Sequence, residues 1–190
     1  MAKQRDMNLY IHNVGREGAD RDFPRTVFAT VALDAIIGEL PTALRPQAAD
    51  RLRAAFPTER CNCWGVPQGA GPVIRGLQEG DTVLLMRTTA GEGEIPALGS
   101  VAAYWSEPMW DLSRMLWGES KFPYVFFFDA RRITLSWREF KTDVGYSTNY
   151  RLPPHFTRVA DADDRLAAFG GVEGYLRHLL GYEYSEPERS

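Results

Sequence analysis

The sequence predicts an α+β protein: a small, strongly curved mixed sheet or barrel flanked by helices. Three observations lead to that class. Short stretches rich in Val, Ile, Phe, Tyr and Trp recur between Gly- and Pro-bearing turns. Segments with apolar residues at helical spacing separate or follow them. The chain has 190 residues, enough for one domain with a full core.

Taken in order, MNLYIHNV (7–14) alternates and is β-rich, as an opening strand should be. GREGADRDFPR (15–25), with three arginines and a proline, reads as a polar loop. TVFATVALDAI (26–36) fits a strand or a helix. RPQAADRLRAAF (45–56) predicts a helix: Pro46 suits the first helical position, Leu44, Ala48, Leu52 and Ala55 share a face, and it ends before Pro57. Strands follow at CNCWGV (61–66), DTVLLMR (81–87), ALGSVAAYW (97–105) and FPYVFFF (122–128), with GEGE (91–94) as a hairpin-type turn. RRITL (131–135) is a further strand after a turn at Asp129. Met109, Leu112, Met115 and Leu116 predict a short helix between Trp105 and Phe122. The run Ser136-Trp137-Arg138-Glu139 is a capping-box pattern that opens another. GVEGYLRHLLG (171–181) predicts a final amphipathic helix with Val172, Leu176, Leu179 and Leu180 inward and Gly181 past its end. The resulting boundaries are a sheet-based domain over 1–135, with a helical insertion near 40–57, and a helical extension over 136–190 packed on it that ends in an acidic tail.

A net charge of −3 argues against nucleic-acid binding through bulk positive charge. The distribution is uneven: residues 114–158 hold eight Lys/Arg against four acids, and 159–190 hold seven acids against three arginines. That pattern allows a local basic face. The longest apolar run among the aromatics, YVFFF (124–128), is far below the ~20 residues a membrane helix needs. No apolar leader follows MAKQRDMN, so a cytoplasmic location with reduced cysteines is expected.

The two cysteines, Cys61 and Cys63, are spaced C-x-C, and His12, His155 and His178 lie on separate elements. That set does not resemble a zinc site, and alternation places both thiols on one face as core filling. No P-loop, nucleophile elbow, H-E-x-x-H or paired-carboxylate constellation is present in the sequence, so no catalytic residue, metal or cofactor is expected. Three rival classes remain open: an RNA-binding module, an enzyme using Cys63 and His12, and an interaction domain whose tryptophans are all buried.

The five tryptophans carry more information. Trp137, behind a capping serine, reads as structural. Trp64 and Trp105 each end a strand and lead into a turn, where a small barrel opens its mouth. Two indoles facing each other there would form a slot for a flat heterocycle, with stacking worth ~1–3 kcal/mol per base.

These residues together resemble a known family. The order is His12-Asn13 ending a first strand, then Trp64-Gly65-Val66-Pro67, Gly80-Asp81-Thr82-Val83-Leu84-Leu85, and Gly99-Ser100-Val101 running to Trp105. Met115-Leu116-Trp117-Gly118 and Phe122-Pro123-Tyr124-Val125-Phe126-Phe127 complete it. Over about 7–135 this is similar to the EVE/YTH-like branch of the PUA-like superfamily, readers of modified bases. The bacterial versions often form the N-terminal reader of modification-dependent (type IV) restriction enzymes.

The resemblance implies an aromatic cage walled by Trp64, Trp105 and Leu116, with Trp117 adjacent, and a base edge read by Asn13 or His12. It implies a double-stranded DNA partner carrying a flipped methylated base, 5-methylcytosine first and methylated adenine close behind. A nuclease domain or subunit would supply any cleavage. Asp111 is a further candidate acceptor for a cytosine amine. Arg21, Arg25, Arg131 and Arg132 are candidate phosphate contacts. Long insertions at 15–60 and 106–117 depart from the family pattern, and Trp110 has no counterpart in it.

Overall fold

The computed structural model describes residues 7–89, 92–153 and 155–181. The chain runs β1 (Leu9–Asn13), α1 (Arg16–Thr26), β2 (Val31–Ala32), α2 (Leu33–Glu39), α3 (Arg45–Ala55), β3 (Arg60–Val66) and α4 (Gly71–Ile74). It continues through β4 (Thr82–Thr89), β5 (Glu92–Tyr104), α5 (Trp110–Trp117), β6 (Tyr124–Ser136), α6 (Trp137–Asp143), β7 (Phe156–Arg158), α7 (Ala162–Arg165) and α8 (Gly171–Leu179). The seven strands form one mixed sheet in the order β2-β3-β6-β5-β4-β1-β7, with β1 and β4 parallel and the other pairs antiparallel. The fold is α+β.

The sheet bends round on itself. Four strand spacings separate β3 from β1 and β6 from β7, about 19 Å if the sheet were flat. Yet the His12 and Trp64 rings lie 6.2 Å apart, and Phe126 and Phe156 6.3 Å apart. Strand alternation divides the core accordingly. Tyr10 and His12 point to the concave side, where Tyr10 stacks on Phe156 at 5.2 Å. Leu9, Ile11, Leu84, Met86 and Leu98 point the other way, into a second apolar layer with Trp137, Phe140, Val172 and Tyr175.

Several local expectations are met. The capping box closes as the sequence implies: Glu139 N–H donates to Ser136 Oγ at 3.1 Å and Ser136 N–H to Glu139 Oε2 at 2.8 Å. The helices at 45–55, 110–117 and 171–179 lie where apolar spacing put them. The ambiguous 26–36 segment splits into the end of α1, a two-residue strand and the start of α2. Residues 90 and 91 of the expected hairpin turn, and 182–190 of the expected acidic tail, lie outside the described residues.

Three expectations are corrected. Residues 16–26 are a helix, because Ala19, Phe23 and Thr26 recur at helical spacing with Asp22 and bury one face; Pro24 sits two residues from its end. No turn interrupts the chain at Asp129: β6 is one strand of 13 residues, matched by an equally long β5, with exposed Asp129 opposite Ser100. The part beyond residue 135 is not helical alone, since β7 joins the sheet through Tyr10↔Arg158, Ile11↔Thr157 and His12↔Phe156.

Gly99 shows how tightly the concave side is filled, since a Cβ there would lie 2.7 Å from Cγ of the buried Phe128 ring. Gly99→Ala should therefore destabilise the protein by about 1–3 kcal/mol through forced displacement of that ring. Urea unfolding checks this, and an unchanged midpoint would contradict the packing described.

Candidate nucleic-acid interface

Trp64 stands near the end of β3 and is 1 % exposed. Its indole is surrounded by rings from four other places in the chain. Phe23 of α1 meets it edge-on at 5.0 Å and Trp117 of α5 edge-on at 5.7 Å. Phe122 stacks on it at 6.4 Å and 28°, and His12 of β1 tilts against it at 6.2 Å. Gly65 permits the close approach: a Cβ there would meet the Phe122 backbone oxygen at 2.6 Å and the Trp117 ring at 2.9 Å. The indole N–H groups of Trp64 and Trp117 are both buried and neither has an acceptor among the described residues. Orphaned buried donors are uncommon, because each carries a desolvation penalty of about 1–3 kcal/mol.

Trp105 is not part of this nest. Consecutive residues Phe126 and Phe127 point to opposite faces of the sheet. Trp64 is in register with Phe126, whereas Trp105 packs edge-on against Phe127 at 6.0 Å, with Arg51 of α3 over its ring at 5.4 Å. A register slip between Val101 and Ala103 decides the matter. Val101 opposes Phe128, on the face of Trp64, but Ala103 opposes Phe127, and Trp105 follows Ala103. The two indoles expected to clasp one plane at an open rim are thus on opposite faces, and both are buried. Trp64 is paired instead with Trp117. Leu116, also buried, belongs to the same apolar cluster.

The expected edge-reading residues have mixed fates. His12 is buried at the nest, its Nδ1–H donating to the His155 carbonyl at 2.8 Å, and burial lowers its pKa from 6.5 to about 4. It is therefore neutral at pH 7, with a lone pair at Nε2. Asn13 is engaged in the scaffold: its amide donates to Pro153 O at 3.2 Å, and its oxygen accepts from Gly15 N–H at 3.3 Å and Thr88 Oγ1 at 2.6 Å. Asp111 is exposed on α5 and paired with Arg114 at 3.3 Å, turned away from buried Leu112, Leu116 and Trp117.

Among the candidate phosphate contacts, Arg21 is held by Asp22 and Glu119. Arg25 and Arg131 are exposed without an ion-pair partner among the described residues, and Arg132 lies over the Phe28 ring at 4.1 Å. Phe28 in turn meets Phe23 edge-on at 5.7 Å, so a chain of rings links Arg132 to Trp64. Cys61 and Cys63 are free, fully buried thiols. Burial pushes Cys61 up to about 12 and Cys63 well above its ordinary value. Cys63 is in register with Phe127, on the face away from His12 and Trp64, so the two do not form a dyad.

Two residues were missed by sequence reasoning. Asn62 donates to the Thr26, Val27 and Ala29 carbonyls and accepts from Ala130 N–H at 3.0 Å, which ties the end of α1 to β3 and β6. Its place on the same strand face as Trp64 was the available signal. Asp22 is a fully buried carboxylate on α1, hidden in a segment read as loop.

The His12 environment has a pH consequence. The folded pKa lies below the unfolded one, so the unfolded state takes up the proton first as pH falls, and stability declines between 6.5 and about 4. His12 alone should cost about 2 kcal/mol between about pH 7 and about pH 5. Chemical unfolding of wild type and His12→Gln across that range should differ by this increment; parallel profiles would refute it.

No family model matches the sequence, and no curated protein does. Among solved structures, the chain is similar to the N-terminal domain of Thermococcus gammatolerans McrB bound to m5C DNA. The TM-score is 0.64 at 18 % identity, and the likeness covers 91 % of this chain and 99 % of that one. The likeness is one of fold, and it spans almost the whole of both chains.

Proposed function

We propose that this chain is a cytoplasmic reader of methylated DNA that takes an extruded base into the nest around Trp64, 5-methylcytosine by preference and methylated adenine second. The observation that carries the reading is the match, over nearly the full length of both chains, to a domain bound to m5C DNA. The inward-curling sheet further supports placing the chain with the PUA-like, EVE/YTH-like readers. In that setting it would be the recognition module of a methylation-dependent restriction system, with cleavage supplied by a separate domain or subunit.

A base inside a duplex cannot reach a buried indole, so the nucleotide must rotate out at a cost of a few kcal/mol. Phe122, stacked on Trp64, holds the place such a base would take. Entry therefore moves Phe122 and Trp117 off Trp64, and base stacking replaces ring stacking on the same indole face. The displaced Trp117 indole N–H, unpartnered in the empty nest, then gains an acceptor on the base edge. An apolar wall accommodates the methyl without breaking hydrogen bonds, which gives about 1–3 kcal/mol of preference. Arg25, Arg131 and Arg132 supply phosphate contacts, which position the duplex without reading it.

Fluorescence anisotropy on matched duplexes carrying cytosine, 5-methylcytosine, adenine or methylated adenine tests this reading. The expected result is a preference of tens-fold for a methylated duplex, lost in Trp64→Ala and retained in Trp105→Ala. Equal affinity for all four duplexes would end the reading, and tighter binding of matched methylated RNA would replace it with an RNA reader. Arg131→Ala/Arg132→Ala should weaken binding to every duplex alike and flatten the salt slope by about 2.

A further inference from the structure

Thymine carries the same methyl group at the same ring position as 5-methylcytosine, so methyl recognition alone leaves the reader blind to the difference. The base edge must supply it. Cytosine presents one amine donor and two acceptors on its pairing edge, and thymine presents an oxygen where cytosine has the amine. The nest already offers one unpartnered donor able to meet that edge, Trp117 Nε1. What it needs in addition is an acceptor.

We propose that the carboxylate of Asp22 is that acceptor, and that it separates 5-methylcytosine from thymine and from every base lacking the amine. The inference rests on the reading of the chain as a 5-methylcytosine reader. Asp22 is fully buried on the face of α1 that also carries Ala19, Phe23 and Thr26. Its neighbour Phe23 meets Trp64 at 5.0 Å, and Arg21, which holds it, reaches Glu119, two residues beyond Trp117. α1 thus meets β3 through Phe23 and reaches the segment after α5 through Arg21, with Asp22 on its buried face and the buried Thr26 Oγ1 one turn away unpartnered.

A buried carboxylate is costly and survives only where it is paired. Arg21 provides that pairing, with Nε–H donating to Oδ1 at 2.9 Å and Nη2–H to Oδ2 at 2.7 Å. A carboxylate has about four acceptor positions, so two remain for an amine. The other candidates fare worse. Asn13 has its oxygen occupied, and Asp111 faces solvent. His12 keeps one neutral lone pair, and a hydrogen bond to a charged acceptor is roughly twice as strong.

The experiment compares one duplex position, opposite guanine, filled with cytosine, 5-methylcytosine, thymine or 5-methyl-2-pyrimidinone, which keeps the methyl and lacks the amine. Wild type should bind the 5-methylcytosine duplex at least tenfold more tightly than the thymine and pyrimidinone duplexes. Asp22→Asn should bind all three methylated bases within about twofold of one another, with thermal unfolding confirming that it folds. Asp22→Glu, which keeps a charge for Arg21, is the second variant and should lose most of the discrimination. Wild type that ignores the amine, or either folded variant that still senses it fully, overturns the proposal and points to His12. Equal binding of cytosine and 5-methylcytosine overturns the reader itself, which distinguishes that failure from this one.

Discussion

The bending of the sheet onto itself is the constraint on which the rest depends. Seven strands in the order β2-β3-β6-β5-β4-β1-β7 would hold β1 and β3 far apart if flat. The aromatic residues on the concave side, Tyr10, Trp64, Phe126, Phe128 and Phe156, close that distance because rings bury large areas and pack edge-to-face across it. Register slips in the β5–β6 pair, at Ile95/Ala97 and Val101/Ala103, permit the curl without breaking the ladder. Once curled, the sheet presents one crowded end to α1 and α5, and that end holds Trp64, His12 and Trp117. On the opposite, convex face Leu9, Ile11, Leu84, Met86 and Leu98 join α6, α7 and α8 in a separate apolar layer, while Cys63, Phe127 and Trp105 belong to the cluster that includes α2 and α3.

The polar groups at the crowded end are out of keeping with a mere core. A core of this size is stabilised by apolar burial and tolerates few unsatisfied donors. Here two indole N–H groups and, on the buried face of α1, a threonine hydroxyl lack partners, while His12 and Asp22 are buried with theirs. Asn62 and Asp81 show the contrasting case. Asn62 is bonded on both sides of its amide, and Asp81 accepts from Asn8 and Gln78. Buried polar residues in this fold are therefore satisfied where their task is structural. Two of the unsatisfied ones, the indole N–H groups of Trp64 and Trp117, belong to side chains in edge-on contact.

Local signals in the sequence were legible, and signals that needed register were not. Ser136 and Glu139 announce a helix start because both partners of the bond lie within four residues. The strand at 61–66 was equally plain, and the core role of Cys61 and Cys63 followed from alternation. Helix α1 was obscured by composition: its arginines and Pro24 dominate the eye, while Ala19, Phe23 and Thr26 carry the period. The partnership of Trp64 was beyond reach for a different reason. Counting by twos along β5 from Val101 puts Trp105 on Trp64's face, and only the slip at Ala102 sends it to the other. A one-residue irregularity, invisible in composition, exchanged Trp105 for Trp117 as the neighbour.

If the chain reads a base as proposed, that exchange alters the physics of recognition. Two indoles at an open rim would leave a slot hydrated when empty, and a base would enter by displacing water. With Phe122 and Trp117 packed against Trp64, a base entering as proposed would compete with protein rings for the same indole face. The net stacking gain is then the difference between a base and a phenylalanine on Trp64, which is smaller than the ~1–3 kcal/mol of a base alone. Stacking therefore offsets little of the cost of extrusion. The deciding increment must come from groups that are unsatisfied in the empty nest and satisfied in the filled one, since only these favour the bound state over the free. On the proposed reading, the indole N–H of Trp117 would be such a group, and so would any acceptor position left open on Asp22. A closed nest of this kind favours selectivity over affinity. On that reading, a base lacking the amine would bear the same cost of displacing Phe122 and recover fewer of the hydrogen bonds, whereas unmodified cytosine would recover them and lack only the methyl contact.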